Sequence, residues 1–407
     1  MEKNPLMGSN GLRQQPRPAV RPTKLQETCG RLAELAQELG PEAKLPTVLQ
    51  LRDRLGVSVA TLNAALSELE AQRLIRRKHG VGIYVSPRIR QRSVALVCDP
   101  SFFRAPGASP FWNLLVDQAR RRGAEGGEVI SLHFAVDSLD RPEAASGAEL
   151  LNDGLADEIA SGRVDGVLGV GLPQAVADWM ERRQHPPLVS FAGPGRCIVG
   201  IQGGEYARLG VAALAAKGAR RIAFIAPVAP FRLFGPVVSG ESPDLPVFRA
   251  ALSAHGLPFD PALVRTNRHL EVANSYHTVS HQEQGFRAAQ ELFGAGSDPA
   301  LWPDGIVSTD DMLTSGLLTG LGKLGVVIGR DVQIASHANA GSPALLGWEE
   351  ELTLMEVDPA EIVSLMFALL ETCMDGEEPE IPNPEVRPRL RSAATGAGPA
   401  AYGEKTD

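Results

Sequence analysis

Apolar positions Leu25, Cys29, Leu32, Leu35, Ala36 and Leu39 recur at helical spacing and stop at Gly40-Pro41, which predicts one complete helix. A second helix is predicted to open at Pro46-Thr47, where Thr47 can cap and Gln50 holds the reciprocal capping-box position. Its inner face is Val48, Leu51 and Leu55. The short turn Gly56-Val57-Ser58 leads to a third helix, from Val59 to about Arg73. This helix buries Leu62, Leu66 and Leu69, so its opposite face presents Ala60, Asn63, Ala64 and Ser67. Two helices across a tight glycine turn are the pattern of a helix-turn-helix. Residues 74 to 85 then read as two short apolar strands around the basic, glycine-rich tip Arg76-Arg77-Lys78-His79-Gly80, the form of a wing.

From Ser93 onward the pattern changes to short β-rich runs alternating with helical stretches. The runs are Val94 to Cys98, Glu128 to Phe134, Gly166 to Val170, Pro187 to Phe191, Arg221 to Ala226, Ala262 to Thr266, Asp304 to Ser308 and Asp331 to Ser336. Such alternation implies parallel sheets, and this length of chain suggests two of them with a cleft between. The fold class expected is α/β: an N-terminal winged helix-turn-helix and a two-lobed α/β body. Ligands of open α/β sheets sit beyond the carboxyl ends of the strands.

Charge sharpens this division. Residues 1 to 92 hold 16 Lys and Arg against 8 Asp and Glu, a net +8, whereas residues 93 to 407 net −16. A basic head on an acidic body suits a polyanion such as DNA, because cations that neutralise phosphates release counterions; a merely solvated basic face is the alternative. The body contains no apolar run approaching a membrane span, and the first residues lack the apolar core of a signal peptide, so a cytoplasmic protein is expected. Cys29, Cys98, Cys197 and Cys373 lie far apart with no Cys-x-x-Cys spacing, which argues against a zinc site or a disulfide framework.

The stretch Lys44 to Val85 resembles the GntR family of winged-helix regulators. The resemblance is carried by Leu45-Pro46-Thr47, Leu51, Leu55-Gly56-Val57-Ser58, Thr61, Ala65-Leu66, Leu69-Glu70, Leu74-Ile75 and the Gly80-x-Gly82 wing. It implies DNA contacts from Thr47, Gln50, Ser58, Ala60, Thr61, Asn63 and Ser67 on the helices, and from Arg76, Arg77, Lys78, His79 and Gly80 on the wing. Three arginines usual in the family are replaced here by Leu49, Val59 and Asn63. Arginine pairs bidentately with guanine and asparagine suits adenine, so a typical family operator is not implied.

Most of residues 93 to 396 resembles the sensor domain of LacI-type repressors, itself similar to periplasmic sugar-binding proteins. Ser109-Pro110-Phe111-Trp112, Gly162 to Val167, Gly218 to Ile225, Ser308 to Asp311 with Gly316, and Gly325 through Val332 follow that family's order. The resemblance implies a homodimer on a two-fold operator and a small polar effector, such as a sugar, between the lobes. Its pocket positions fall on Gln202, Asp244, Asp311 and Asn339. Of these, only Asp311 carries the family's usual residue. Phe102, Phe103 or Trp112 could cover an apolar sugar face, or pack in the core instead.

Rival chemistries find little support. His277 and His281 are four apart without a third metal ligand and read as a surface feature; Gly320 to Lys323 lacks the spacing of a phosphate loop. Asp310 and Asp311 are neighbours whose side chains should diverge, and no nucleophile elbow is present. The expectation is a regulator without catalysis, cofactor, metal or membrane contact; the alternative is a binding protein whose winged helix serves protein interaction. The domain bounds expected are a flexible 1–21, a winged helix at 22–85, a hinge at 86–92, a sensor at 93–378 with 379–396 packing back or flexible, and a tail at 397–407.

Overall fold

The computed structural model describes residues 23–71, 74–78, 80–87, 89, 91–104, 109–136, 146–152, 154–183, 186–227, 242, 244–266, 280–294 and 296–391. His79 and His277 lie outside the described residues. The chain divides into two compact units, one up to Gln91 and one from Arg92.

The first unit contains α1 (Lys24–Leu39), α2 (Val48–Leu55), α3 (Val59–Ala71), β1 (Ile75–Lys78) and β2 (Gly82–Val85). Thr23 caps α1 and Thr47 caps α2, each in a capping box with the glutamine three residues on, which satisfies amide groups the helix leaves unbonded. Gly56 ends α2 at φ 64°, a left-handed backbone that favours glycine and sets the turn into α3. The buried face of α3 is Leu62, Ala65, Leu66 and Leu69; it packs with Leu32, Leu51, Leu55, Ile75 and Val85 into one core. β1 and β2 pair antiparallel, from Ile75 opposite Val85 to Lys78 opposite Gly82. The stretch before α2 extends this hairpin, with Leu45 N–H donating to Ile83 O at 2.9 Å and Val85 N–H to Ala43 O at 2.8 Å.

The second unit runs through β3 (Ser93–Cys98), α4 (Ser101–Arg104), α5 (Pro110–Gly126), β4 (Val129–Phe134), α6 (Leu155–Ala160), β5 (Gly166–Val170), α7 (Gln174–Glu181), β6 (Leu188–Phe191) and β7 (Cys197–Ile201). It continues with α8 (Glu205–Ala216), β8 (Ile222–Ile225), α9 (Leu245–Ala254), β9 (Val264–Arg265), α10 (His281–Phe293), β10 (Gly305–Ser308), α11 (Asp311–Leu324) and β11 (Gln333–Asn339). Last come β12 (Thr353–Val357), α12 (Pro359–Met374), β13 (Glu385–Val386) and β14 (Arg389–Leu390). Two six-stranded sheets result, ordered β4-β3-β5-β6-β7-β13 and β9-β8-β10-β11-β12-β14. All pairings are parallel except β14 on β12. Strands covered on both faces need no polar alternation, which is why Gly166–Val170, Ile222–Ile225 and Gly305–Ser308 are buried throughout.

The chain passes between the sheets after β7, after β12 and after β13. The first and third passages run side by side, Gln202 N–H donating to Val386 O at 2.9 Å. Gly204 in the first passage stands at φ 75°, and a Cβ there would come within 2.5 Å of Val247, so glycine is required by both backbone and space. Glu205 ties the passages together, accepting from Arg387 Nε at 3.0 Å and pairing with Arg208 at 2.6 Å.

The sequence-expected strands reappear as β3 to β6 and β8 to β11, trimmed or extended at their ends. β7, β12, β13 and β14 were not expected. Cys197 and Cys373, far apart in sequence, have their sulfurs 3.9 Å apart as free thiols where α12 crosses β7.

Candidate functional site

In the head, the outward side of α3 presents Val59, Ala60, Asn63, Ala64 and Ser67. Ser58 caps this helix: its hydroxyl accepts from Thr61 N–H at 3.1 Å and lies 2.9 Å from the Thr61 hydroxyl. Thr47 and Gln50 are likewise engaged with each other, so these four side chains position the helices rather than stand free. On the wing, Arg76 pairs with Glu42, and Lys78 lies 4.9 Å from the Tyr84 ring centroid. Arg77 lies along α3, with Nη2 3.3 Å from Ser67 Oγ and Nε 3.4 Å from Glu70. Gly80 turns the wing at φ 70°. The expected DNA residues other than His79 therefore fall on one helix pair and one hairpin.

In the body, both sheets have the strand order in which the second strand lies on one side of the first and the third on the other. A crevice opens beyond the carboxyl ends of the strands at that reversal. In the second sheet this point is the end of β8 and β10, where Asp310 and Asp311 stand. Asp310 caps α11, accepting from Leu313 N–H at 2.7 Å, and its other oxygen meets His281 Nδ1 at 3.2 Å. Asp311, 1% exposed, turns the other way: its Oδ2 accepts from Asn339 Nδ2 at 3.0 Å and from Ser342 Oγ at 3.2 Å. Behind them Thr314 Oγ1 lies 2.8 Å from Ser308 Oγ and 2.7 Å from Ser336 Oγ, a buried hydroxyl network that joins β10, α11 and β11.

Three buried polar atoms at this place have no hydrogen-bond partner among the described residues: Asp311 Oδ1, the Tyr206 hydroxyl and His337 Nδ1. Buried polar groups are nearly always paired, so these are the groups a bound polar molecule or ordered water would satisfy. The Tyr206 ring meets His337 edge-on at 4.9 Å, and the Tyr206 pKa is raised by burial and then by the charges of Asp244, Asp311 and Asp310. Asp244 itself spends one oxygen on Gly204 N–H at 2.7 Å, and burial raises its pKa. Gln202 sits two residues earlier on the same passage, half-buried. Burial also raises the Asp311 pKa. On His281 burial opposes charge, but Asp310 outweighs it and the pKa stands above the ordinary histidine value.

The aromatic candidates gather at the carboxyl end of the first sheet. Phe102 and Trp112 stack with centroids 3.8 Å apart, Phe111 and Phe191 join them, and Phe103 meets Phe134 at 5.2 Å. Gly171 at φ 69° makes room for Phe102; a Cβ there would come within 1.9 Å of the ring. Phe102 thus gives one face to Trp112 and its edge to the backbone, while Trp112 and Phe103 stay half-buried. The two sheets approach where Leu114 of α5 reaches the loop after β11: a Cβ on Gly341 would lie 3.8 Å from it.

The structure thus joins Asp311 with Asn339 directly, sets Gln202 on the adjoining passage with Asp244 bonded to that passage from the start of α9, and gathers the aromatic candidates on the facing lobe. Sequence reasoning missed Tyr206, His337 and Ser342, which sit in no motif. His281, read from the sequence as a surface feature, is partly exposed and lies against Asp310, because α10 packs on α11 closely enough to bring them together. The arrangement offers fixed donors and acceptors of both kinds around buried carboxylates, which equips it to bind a polar molecule.

Residues 33–85 match the sequence model of the bacterial regulatory proteins of the gntR family, and residues 211–392 match that of the periplasmic binding protein-like domain. No curated protein matches the chain. Among solved structures, a regulatory protein of the LacI family from Chloroflexus aggregans aligns at 20% identity and a TM-score of 0.56, over 73% of this chain and 96% of that one. The transcription regulator CcpA of Lactococcus lactis aligns at 19% identity and a TM-score of 0.54, over 74% and 98%. The transcriptional regulator CelR in complex with cellobiose aligns at 21% identity and a TM-score of 0.51, over 92% and 100%. The chain therefore carries a GntR-family DNA-binding domain followed by a periplasmic-binding-protein-like domain of the fold found in LacI-family regulators, the architecture of a bacterial transcriptional regulator.

Proposed function

We propose that the protein is a homodimeric transcriptional repressor that acts on DNA in the cytoplasm. Its operator affinity is controlled by a polar small molecule of the sugar class bound at Asp311, without catalysis. The observation that carries the reading is a GntR-type head, with its exposed α3 and basic wing, on the same chain as a cleft whose buried Asp311 Oδ1 and Tyr206 hydroxyl lack partners among the described residues. The cellobiose in the CelR complex supports a sugar-like effector, and the backbone passages through Gly204 and Val386 give the lobes somewhere to hinge. An effector that favours one lobe arrangement shifts the population of that arrangement, and with it the fit of the two heads to their half-sites.

A second reading, a protein-interaction head, is favoured by one observation: Leu49 and Val59 are exposed apolar residues on the helix-turn-helix. Selection of duplexes from a random library by the full chain separates the two. Enrichment of an inverted repeat supports the regulator; failure to retain any duplex, by folded protein, supports the interaction module.

A further inference from the structure

We propose that the head reads A·T-rich half-sites, with Asn63 set against adenine and the methyl groups of Val59, Ala60 and Ala64 against thymine. This rests on the DNA-binding reading above and adds the base composition to it. Recognition helices touch base edges mainly through their N-terminal residues, which in α3 are the first two turns from Val59. The exposed positions there are Val59, Ala60, Asn63 and Ala64. α3 contains no Lys or Arg at all, so the bidentate cation that selects guanine is missing from the helix itself. The guanidinium beside it, Arg77, is engaged along the flank of the helix by Glu70, Ser67 and the Asn63 carbonyl, which its Nη2 meets at 3.4 Å.

The hydroxyls at the start of α3 are also committed, because Ser58 and Thr61 bond each other across the cap. That leaves Asn63 as the one group in these turns able to make a paired contact. Its side-chain amide has no partner among the described residues, and its donor and acceptor match the N6 and N7 edge of adenine. Val59 is 43% exposed, a placement that gains nothing in the free head but meets the thymine C5-methyl at a groove floor. Ala60 and Ala64 are short enough to let the helix lie close while offering a methyl each.

The test uses the full chain and the tightest duplex from a random library. It is followed by the same duplex with thymine replaced by deoxyuridine, which removes only the methyl groups, and by the Asn63→Ala variant. We expect A·T-rich half-sites, a loss of about fourfold in affinity per contacted methyl on the uracil duplex, and in Asn63→Ala a loss of roughly tenfold with relaxed preference at one adenine per half-site. A G·C-rich selected core, or uracil and Asn63→Ala duplex affinities equal to those of the parent, overturns the inference while leaving DNA binding intact. Retention of duplexes without sequence preference overturns it equally. Failure to retain any duplex is a distinct outcome and removes the DNA-binding reading with it.

Discussion

Gly316→Ala should destabilise the second unit, although alanine is the better helix former. In an isolated helix the exchange gains about 0.5–1 kcal/mol, because glycine loses more backbone freedom on folding. Here Gly316 faces α10, and a Cβ would sit 1.8 Å from Gln282 O, as would one on Gly285 from Leu313 O. Carbon and oxygen need roughly 3.5 Å, so the helices would have to part by more than about 1 Å, the overpacking regime that costs about 1–3 kcal/mol or more. The separation also acts on the site, since His281 opens α10 and Asp310 caps α11. Gly322 is the internal control: it lies on the same helix with open space around its Cβ position, and Gly322→Ala should be neutral or stabilising. Thermal unfolding of the two variants reads the sign, at about 2–4 °C per kcal/mol for a unit of this order of size. Histidine titration by NMR should show the His281 pKa moving back toward its ordinary value in Gly316→Ala only. A Gly316→Ala protein whose Tm rises in step with Gly322→Ala would refute the close-packing argument.

Asp311→Asn should raise Tm at pH 7 while abolishing effector binding. Burial raises the Asp311 pKa, so folding is opposed progressively as the pH rises from the ordinary carboxylate value to that raised value and in full above it, and the gain in Tm should vanish in acid. The His281–Asp310 pair works in the opposite sense. The raised His281 pKa contributes stability that is complete at low pH and is lost as pH rises through the folded value. The lowered Asp310 pKa contributes stability that is lost as pH falls through its own folded value. A His281→Gln variant should therefore lose stability relative to the parent mainly in the window between the two, as denaturant titrations across pH would show. Thr314→Val removes the hub between Ser308 and Ser336 and should cost about 1–3 kcal/mol, measured by chemical unfolding; an unchanged midpoint would count against the network. Cys98, pushed by burial to a pKa of about 12, should react with a thiol reagent at pH 8 only on unfolding.

The head was legible nearly residue by residue, because a capping box at Thr47 and Gln50, a glycine turn and a 3.6-residue apolar period are all local signals. In the body the early strands of each sheet could be read as continuous apolar runs. β12 follows a polar stretch, and β13 and β14 are two residues each, too short for any period to register. The site was legible only where a family position coincided with chemistry. Asp311 and Asn339 meet at 3.0 Å, but Tyr206, His337 and Ser342 join them through tertiary packing that no local pattern encodes. The divergence of Asp310 and Asp311 was readable, since adjacent residues at a helix start point apart. The partner each would find was not.

The most direct test of the central claim is the affinity of the full chain for duplex DNA across a salt series. A head that grips phosphates through its wing and helix starts should bind at 50 mM salt and weaken steeply, with log affinity falling by about 0.9 per contacted phosphate for each tenfold rise in salt. Folded protein that fails to bind duplex at 50 mM salt, or binds it with no salt dependence, would contradict the account.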